Sequence, residues 1–502
     1  MLESFEPTTV AVRDESDNMA RTLPAVSDNG SERARVVAIM PRGEAIRNFV
    51  YTGALDEVAL EAEVTVLSVI PNQETEELLR HRYHQFFDLK DYPEKWIVTI
   101  QRELLDMAHG RRLWSEAARE RWRLRDAEAT SAQLKLKRWG KKLAAYPFAN
   151  RLGLKMLSSV ERTSSRVFRT TEEYVRLFQR LKPTLVFNGS TLHSKVAIQA
   201  VQAAQWLKIP TATFIFSWDN LTSQGRILPA YDYYLVWNKA IRDQLLDIYS
   251  EIRPDQVFVT GTPQFDFHFR PEFYWTREEF CAHVGADPDR PIVLYSTGMA
   301  NHILGEANVV EGLAVMLREM REFGPPQLLV REYAKGPRGT LDDLKRSCPD
   351  ILIPEIPWQH EWLTPKPEDN YLLTNMLRHA AVGVNVASTI SLELCMFDKP
   401  VINVGYEPPN FHKRPEEFDY RRYYEFDHYR PVVASGAVAL ARSESDMESM
   451  LRKALSEPGT NSFQRRTLVQ NMFGKSLDGK SGLRVAERLV KLAKNGAPAR
   501  VS

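Results

Sequence analysis

Short apolar runs rich in β-branched residues recur along the chain, each closed by a small polar turn and followed by a helical pattern. The first series comprises Arg35 to Met40, Val64 to Ile70, Thr184 to Asn188, Thr211 to Phe216, Tyr231 to Trp237 and Gln256 to Thr260. A second series follows at Pro291 to Tyr295, Gln327 to Val330, Ile351 to Pro354, Ala381 to Val386 and Pro400 to Val404. Runs this short, alternating with helices such as the one through Trp206 or Asn370 to His379, predict parallel strands with crossover helices. One interval breaks the rhythm. From about Glu76 to Arg180, including His-Arg-Tyr-His-Gln-Phe-Phe at 81–87, the pattern is helical and aromatic, which predicts a helical insertion. Residues 1–33 are polar and aperiodic, and are expected to be a disordered tail.

In open parallel sheets ligands bind at the carboxyl ends of the strands, so the turns after the runs are where chemistry is sought. The stretch AVGVNVASTISLELCMFDKPVINVGY, 381–406, reads as strand, polar turn, short helix and strand. Ser388 and Thr389 open the helix, where hydroxyls and free N–H groups suit a phosphate. Glu393 lies one turn on, where a carboxylate can accept from two ribose hydroxyls; the same residues also serve as an ordinary cap and a solvated helix position. Ser296-Thr297-Gly298 after its strand can present backbone N–H groups to a diphosphate. The loop Ser217-Trp218-Asp219-Asn220-Leu221-Thr222-Ser223-Gln224-Gly225 follows another strand, and its residues would make any turn. Arg42 and Arg47 follow the first strand and either face an acceptor or its phosphate or sit as exposed helix-start charges. No GxGxxG accompanies them, which excludes a dinucleotide site there.

Composition narrows the class. At 502 residues the chain holds two or three domains, and 43% hydrophobic and 26% charged residues are ordinary for a globular protein. A formal net charge of +1 speaks against a nucleic-acid binder. Cys281, Cys348 and Cys395 are far apart with neither disulfide nor metal spacing, which suits a reducing cytoplasm. No apolar run of membrane-spanning length and no signal-peptide core appears, so the expected place is cytoplasmic, with peripheral contact at the inner face of a membrane. Charge is nonetheless uneven: between Arg111 and Thr170 stand sixteen Lys or Arg against five Asp or Glu, interleaved with Trp114, Trp122, Trp139, Tyr146 and Phe148. That mixture suits an anionic membrane surface or a solvated helical face.

The pattern VNVASTISLELCMFDKPVINVGY resembles the nucleotide-sugar site of GT-B glycosyltransferases, particularly bacterial enzymes that build surface polysaccharides and lipid-linked glycans. The resemblance covers about 180–410 and, loosely, 35–70. It departs from many retaining members in one respect, since neither Val386 nor Pro400 supplies a second Glu seven residues from Glu393. It implies an α/β fold of GT-B type, two Rossmann-like domains facing across a cleft: an acceptor domain at 34–262 carrying the insertion at about 76–180, and a nucleotide-sugar domain at 263–480. A C-terminal helix and tail, 481–502, would return across the cleft, and Val259 to Asp266 looks like the hinge, with His268 beside it read as structural. The resemblance further implies that Ser388, Thr389, Ser296, Thr297 and Gly298 lie by the donor diphosphate, that Glu393 holds the ribose, and that Arg331 and then Lys335 meet the phosphates. The loop through Trp358 and His360 would approach the base. Asp219, at the carboxyl end of a strand in the opposite domain, is the implied general base, with Asn220, Thr222 and Ser223 lining the acceptor side and Trp218 stacking on a sugar or packing in the core.

The activity so implied is metal-independent glycosyl transfer from a nucleotide-sugar donor to a glycan or lipid-linked acceptor, with no cofactor and no nucleic acid. Asp287-Pro288-Asp289 precedes a strand and reads as a turn rather than a metal motif. Three other readings remain: a nucleotide-sugar epimerase, a CDP-polyol phosphotransferase, and a catalytically idle membrane-docking scaffold.

Overall fold

Strands that are buried on both faces must be apolar throughout, and the runs of the first series meet that condition as an all-parallel sheet. The computed structural model describes residues 33–495 apart from 71–72, 169–170, 193–194, 300–302, 337–338, 360–362 and 409–419. The tail expected over 1–33, Arg33 apart, lies outside the described residues, as do Asn301, His302, His360, most of the Pro-rich stretch at 407–415 and the basic end beyond 495.

The first sheet contains β1 (Ala34–Met40), β2 (Ala62–Ser68), β3 (Gln85–Asp88), β4 (Leu185–Asn188), β5 (Thr211–Phe214), β6 (Tyr233–Val236) and β7 (Val257–Val259). Its order is β3-β2-β1-β4-β5-β6-β7, every neighbour parallel. Ile39, Phe187, Phe214 and Leu235 are fully buried, and Phe49 packs edge-on against Phe187 and Phe214 at 5.1 and 5.4 Å.

The second sheet contains β8 (Ile292–Ser296) and β9 (Gln327–Arg331); a two-stranded hairpin, β10 (Trp358–Gln359) and β11 (Thr364–Pro365), stands apart; β12 (Val382–Asn385), β13 (Val401–Val404) and β14 (Ala439–Ala441) complete the sheet in the order β14-β13-β12-β8-β9. In each sheet the chain reverses its direction of travel beside the first strand, between β1 and β4 and between β8 and β12, and in open parallel sheets the carboxyl ends at such a point are where ligands bind. The chain is thus α/β with two Rossmann-type sheets and a helical insertion, of the GT-B kind.

Two local expectations are corrected. Gln85–Asp88, read as helical, is the edge strand β3: Phe86 turns into the core beside Val66, and that tertiary pairing outweighs the local pattern. Ile351 to Pro354 is reduced to one parallel bridge, Leu352 to Leu329, because Pro354 cannot donate to a ladder.

The insertion is built of helices Trp96–Leu113, Glu116–Ala127, Ala132–Ala145 and Arg151–Val167. Buried Arg102 ties the first of these to the last, bonding Glu161 at 2.8 Å, and also bonds Glu94. The last helix, Ser481–Asn495, packs on helix Ala54–Glu61 and on β1. Its first N–H groups, of Ser481 and Gly482, donate to Asp266 at 3.0 and 2.7 Å, and Arg484 Nε donates to the Thr260 carbonyl at 2.8 Å. Among the described residues no helix is long and apolar enough to cross a membrane.

Candidate active site

The turn after β12 is shaped by a buried polar knot. Asn385 Oδ1 accepts from Ser388 N at 3.2 Å, Ser391 Oγ at 3.0 Å and Asn403 Nδ2 at 3.2 Å, while Tyr429 Oη bonds Ser391 and Asn403 at 2.8 Å each. The network restrains the turn, although Asn385 Nδ2 has no hydrogen-bond partner among the described residues. Ala387, inside the turn, has φ of 35°, a strained left-handed value for a residue with a Cβ. The helix that follows, Ile390–Met396, lies hard on the sheet at Gly383, where any Cβ would overlap the Leu394 side chain.

That packing aims Glu393 inward. Its Oε2 bonds His268 Nε2 at 2.9 Å, and His268 Nδ1 bonds Thr374 Oγ1 at 3.0 Å. Both members of the pair are buried. His268 belongs to the segment that leaves the first sheet, so the carboxylate expected to hold a ribose is oriented by a residue from the hinge.

Opposite stands the loop after β5. Trp218 Nε1 donates to Thr389 Oγ1 at 3.2 Å, which sets the Asp219 loop of the first sheet against the Ser388 turn of the second. Asp219 accepts from Ser223 Oγ at 2.6 Å and from Ser217 Oγ. Asn220 and Thr222 are buried and hold the loop: Asn220 Oδ1 accepts from Ser217 N at 2.9 Å, and Thr222 Oγ1 donates to the Asp219 carbonyl at 3.1 Å. The insertion buttresses the loop from behind, where Ser115 Oγ donates to the Thr222 carbonyl at 2.7 Å. His428 packs edge-on against Trp218 at 5.1 Å; burial pushes its pKa down, and the charges of Asp219 and Asp427 act in the opposite sense.

A second contact spans the cleft. Lys335, after β9, is ion-paired with Glu44, after β1, and Glu44 also meets Arg42 at 2.6 Å. Glu44 is buried, which alone would raise its pKa, but Lys335, Arg42 and Arg47 outweigh burial and hold it at about 2. The Glu44 helix approaches the hairpin so closely that a Cβ on Gly43 would overlap Thr364.

The remaining predicted residues are divided. Thr297 and Gly298 line a cavity of about 330 Å³ with Tyr333, Thr340, Lys345 and Trp358 at the carboxyl ends of β8 and β9. That volume lies at the lower end of ligand pockets, roughly 300–1,000 Å³. Ser296 is buried beneath it. The Gly298 N–H is directed at Glu306, 2.8 Å from Oε2, and Tyr295 Oη donates to the same carboxyl at 2.9 Å. Burial pushes the Glu306 carboxyl up to about 7. Arg331 is also buried; its Nη2 contacts both oxygens of Asp369 at 2.8 and 2.9 Å, and its Nη1 has no hydrogen-bond partner among the described residues. Neither Arg331 nor Ser388 nor Glu393 lines this cavity. A larger cavity, about 490 Å³, opens at the amino ends of β1 to β3 and contains none of the predicted residues.

Glu44, Glu306 and His428 escaped the sequence reading, and His268 was given no site role. Glu44 carried a usable signal, since it is an acid between Arg42 and Arg47 straight after the first strand.

No sequence family matches the chain, and no curated protein sequence does. Solved structures do match. A UDP-N-acetylglucosamine 2-epimerase shares 14% identity over 94% of this chain and all of its own, with a TM-score of 0.50. The UDP-GlcNAc 2-epimerase from Neisseria meningitidis, bound to UDP-GlcNAc, shares 14% over 91% of this chain and all of its own, also at 0.50. A UDP-N-acetylglucosamine 2-epimerase assignment from Listeria monocytogenes shares 13% over 90% of this chain and 94% of its own, again at 0.50. At such identity the likeness establishes the fold, two Rossmann-type sheets joined across a cleft.

Proposed function

We propose that the chain is an enzyme acting on a nucleotide-activated sugar and that it transfers the sugar to a hydroxyl of a glycan or lipid-linked acceptor. The observation that carries this reading is the contact of Trp218 with Thr389, which brings a carboxylate at the carboxyl edge of one sheet against a hydroxyl-bearing turn and a carboxylate on the other. In this reading Glu393, steadied by His268, accepts from the ribose hydroxyls. Ser388 and Thr389 donate to the diphosphate, and Thr297 and Gly298 border the same donor. Lys335 and Arg42 are drawn from Glu44 toward the incoming phosphates, whose charge competes for the same cations.

Asp219 takes the proton as the acceptor oxygen attacks the anomeric carbon and the bond from that carbon to the diphosphate breaks. Negative charge collects on the departing diphosphate, where positioned cations and hydroxyls lower the barrier most. The Ser217 and Ser223 hydroxyls donate to the carboxylate and hold it in one orientation. No part is assigned to a metal: Asp287 and Asp289 form a turn, Asp289 N donating to Asp287 Oδ1 at 3.0 Å.

A second reading is epimerisation of the sugar without an acceptor, favoured by the names of the structural neighbours and by the buried pair of His268 with Glu393. Turnover of a panel of UDP-, GDP- and CDP-sugars with and without oligosaccharide and lipid-linked acceptors separates the two. Product only with an acceptor marks transfer, and product without one marks epimerisation. A requirement for a CDP-polyol marks the phosphotransferase. Failure of every nucleotide to bind in calorimetry removes all three and leaves the scaffold. Asp219→Asn is expected to bind nucleotide normally and to lose transfer; normal turnover would remove the base.

A further inference from the structure

Two helices of the insertion carry an apolar stripe that faces outward. In Arg151–Val167, Leu154, Leu157, Glu161 and Ser165 are buried, while Leu152, Met156, Val160 and Val167 share another face and are exposed, Leu152 to 77%. In Ala132–Ala145, Leu136, Trp139 and Leu143 recur at helical spacing and are exposed to 67, 61 and 60%; Tyr146 continues the stripe. Both helices pack on Trp96–Leu113, so the residues they leave uncovered lie on the outside of the insertion.

The charges beside these stripes are of one sign. From 132 to 168 there are nine Lys or Arg and a single acid, Glu161, which is buried and bonded to Arg102 at 2.8 Å. Lys135, Lys137, Arg151, Lys155, Arg162 and Arg166 are exposed, with no ion pair among the described residues. On Arg151–Val167 the spacing sets Arg151, Lys155, Arg162 and Arg166 along one edge of the apolar stripe, between it and the buried side.

We infer that this face docks on an anionic lipid bilayer, the apolar stripes entering the headgroup boundary and the cations meeting lipid phosphates. A second copy of the chain is a poor occupant, since it would set like cations against like. Nucleic acid offers phosphates but no apolar layer to take Leu136, Trp139, Leu152 and Met156. The geometry is that of a helix lying in the interface rather than crossing it.

The test is co-sedimentation of the whole chain, without nucleotide, with vesicles of phosphatidylcholine alone or of phosphatidylcholine carrying phosphatidylglycerol. The inference therefore stands or falls apart from the proposed enzymatic activity. Binding is expected on the anionic vesicles, little on the neutral ones, with a steep decline as salt rises. Each cation near such a surface changes partitioning about fivefold, so R151Q/K155Q/R162Q/R166Q should lower it by roughly a few hundred-fold. L152S/M156S/V160S should release the protein while its circular dichroism is kept, because those side chains are already exposed. The salt dependence of the unaltered chain gives a readout that needs no variant. Equal binding to both vesicles, no binding to either, or a dimer in sedimentation equilibrium that the serine variant dissolves would each overturn the inference.

Discussion

Replacing Glu44 by Gln removes the acid that pairs with Lys335 across the cleft and with Arg42 beside it, and that also feels the charge of Arg47. A carboxyl that titrates near 4.5 in the unfolded chain and at about 2 when folded adds about 3 kcal/mol of stability at neutral pH. Because the folded value is depressed, this contribution is complete above the unfolded pKa and is lost as pH falls toward the folded one. At about pH 3.5 some 1.4 kcal/mol of it is expected to have gone. Urea unfolding of the native chain and of Glu44→Gln, run from neutral pH down to about pH 3.5, isolates the effect, since every other titrating group is common to both. The expected outcome is a stability gap that narrows by about 1.4 kcal/mol over this range. A gap that stays constant would mean that Glu44 is not held ionised by these cations, and the account of the cleft contact would fail.

Glu393→Gln keeps an acceptor for His268 but loses charge, so nucleotide affinity in calorimetry should fall about tenfold or more while the melting temperature changes little. His268→Leu leaves a buried carboxylate without its partner and should cost about 1–3 kcal/mol in urea unfolding. Gly43→Ala must part helix Gly43–Ile46 from Thr364, and a loss of about 1–3 kcal/mol is expected in the same assay. Asp266→Ala strips the final helix of the acceptor for its first two N–H groups; about 0.5–2 kcal/mol is expected, with faster proteolysis between residues 474 and 480.

The strands of both sheets were readable because burial on two faces demands continuous apolar runs, and Val36 to Met40 or Val401 to Val404 can satisfy that demand in few other ways. β14 was not, since its Ala-rich segment carries no strong preference until β13 lies beside it. Gln85–Asp88 was misread for the same reason. The turns bearing Asp219, Ser388 and Thr389 were legible from their place at the ends of strands. What could not be read was pairing at long range. Glu393 and His268 are 125 residues apart, and nothing local marks either as the other's partner. The family resemblance implies Arg331 as a phosphate ligand, yet Asp369, on a later helix, takes one side of its guanidinium.

The chain passes between the sheets twice, once near Thr260 and again near Ser476, and Arg484 fastens the two passages by bonding the carbonyls of both. A lone connecting thread would let one half tumble freely against the other. Two attachments define a line, and swinging about that line is the soft movement that remains. A closure confined to that line would need no orientational search, so its entropic penalty would be small.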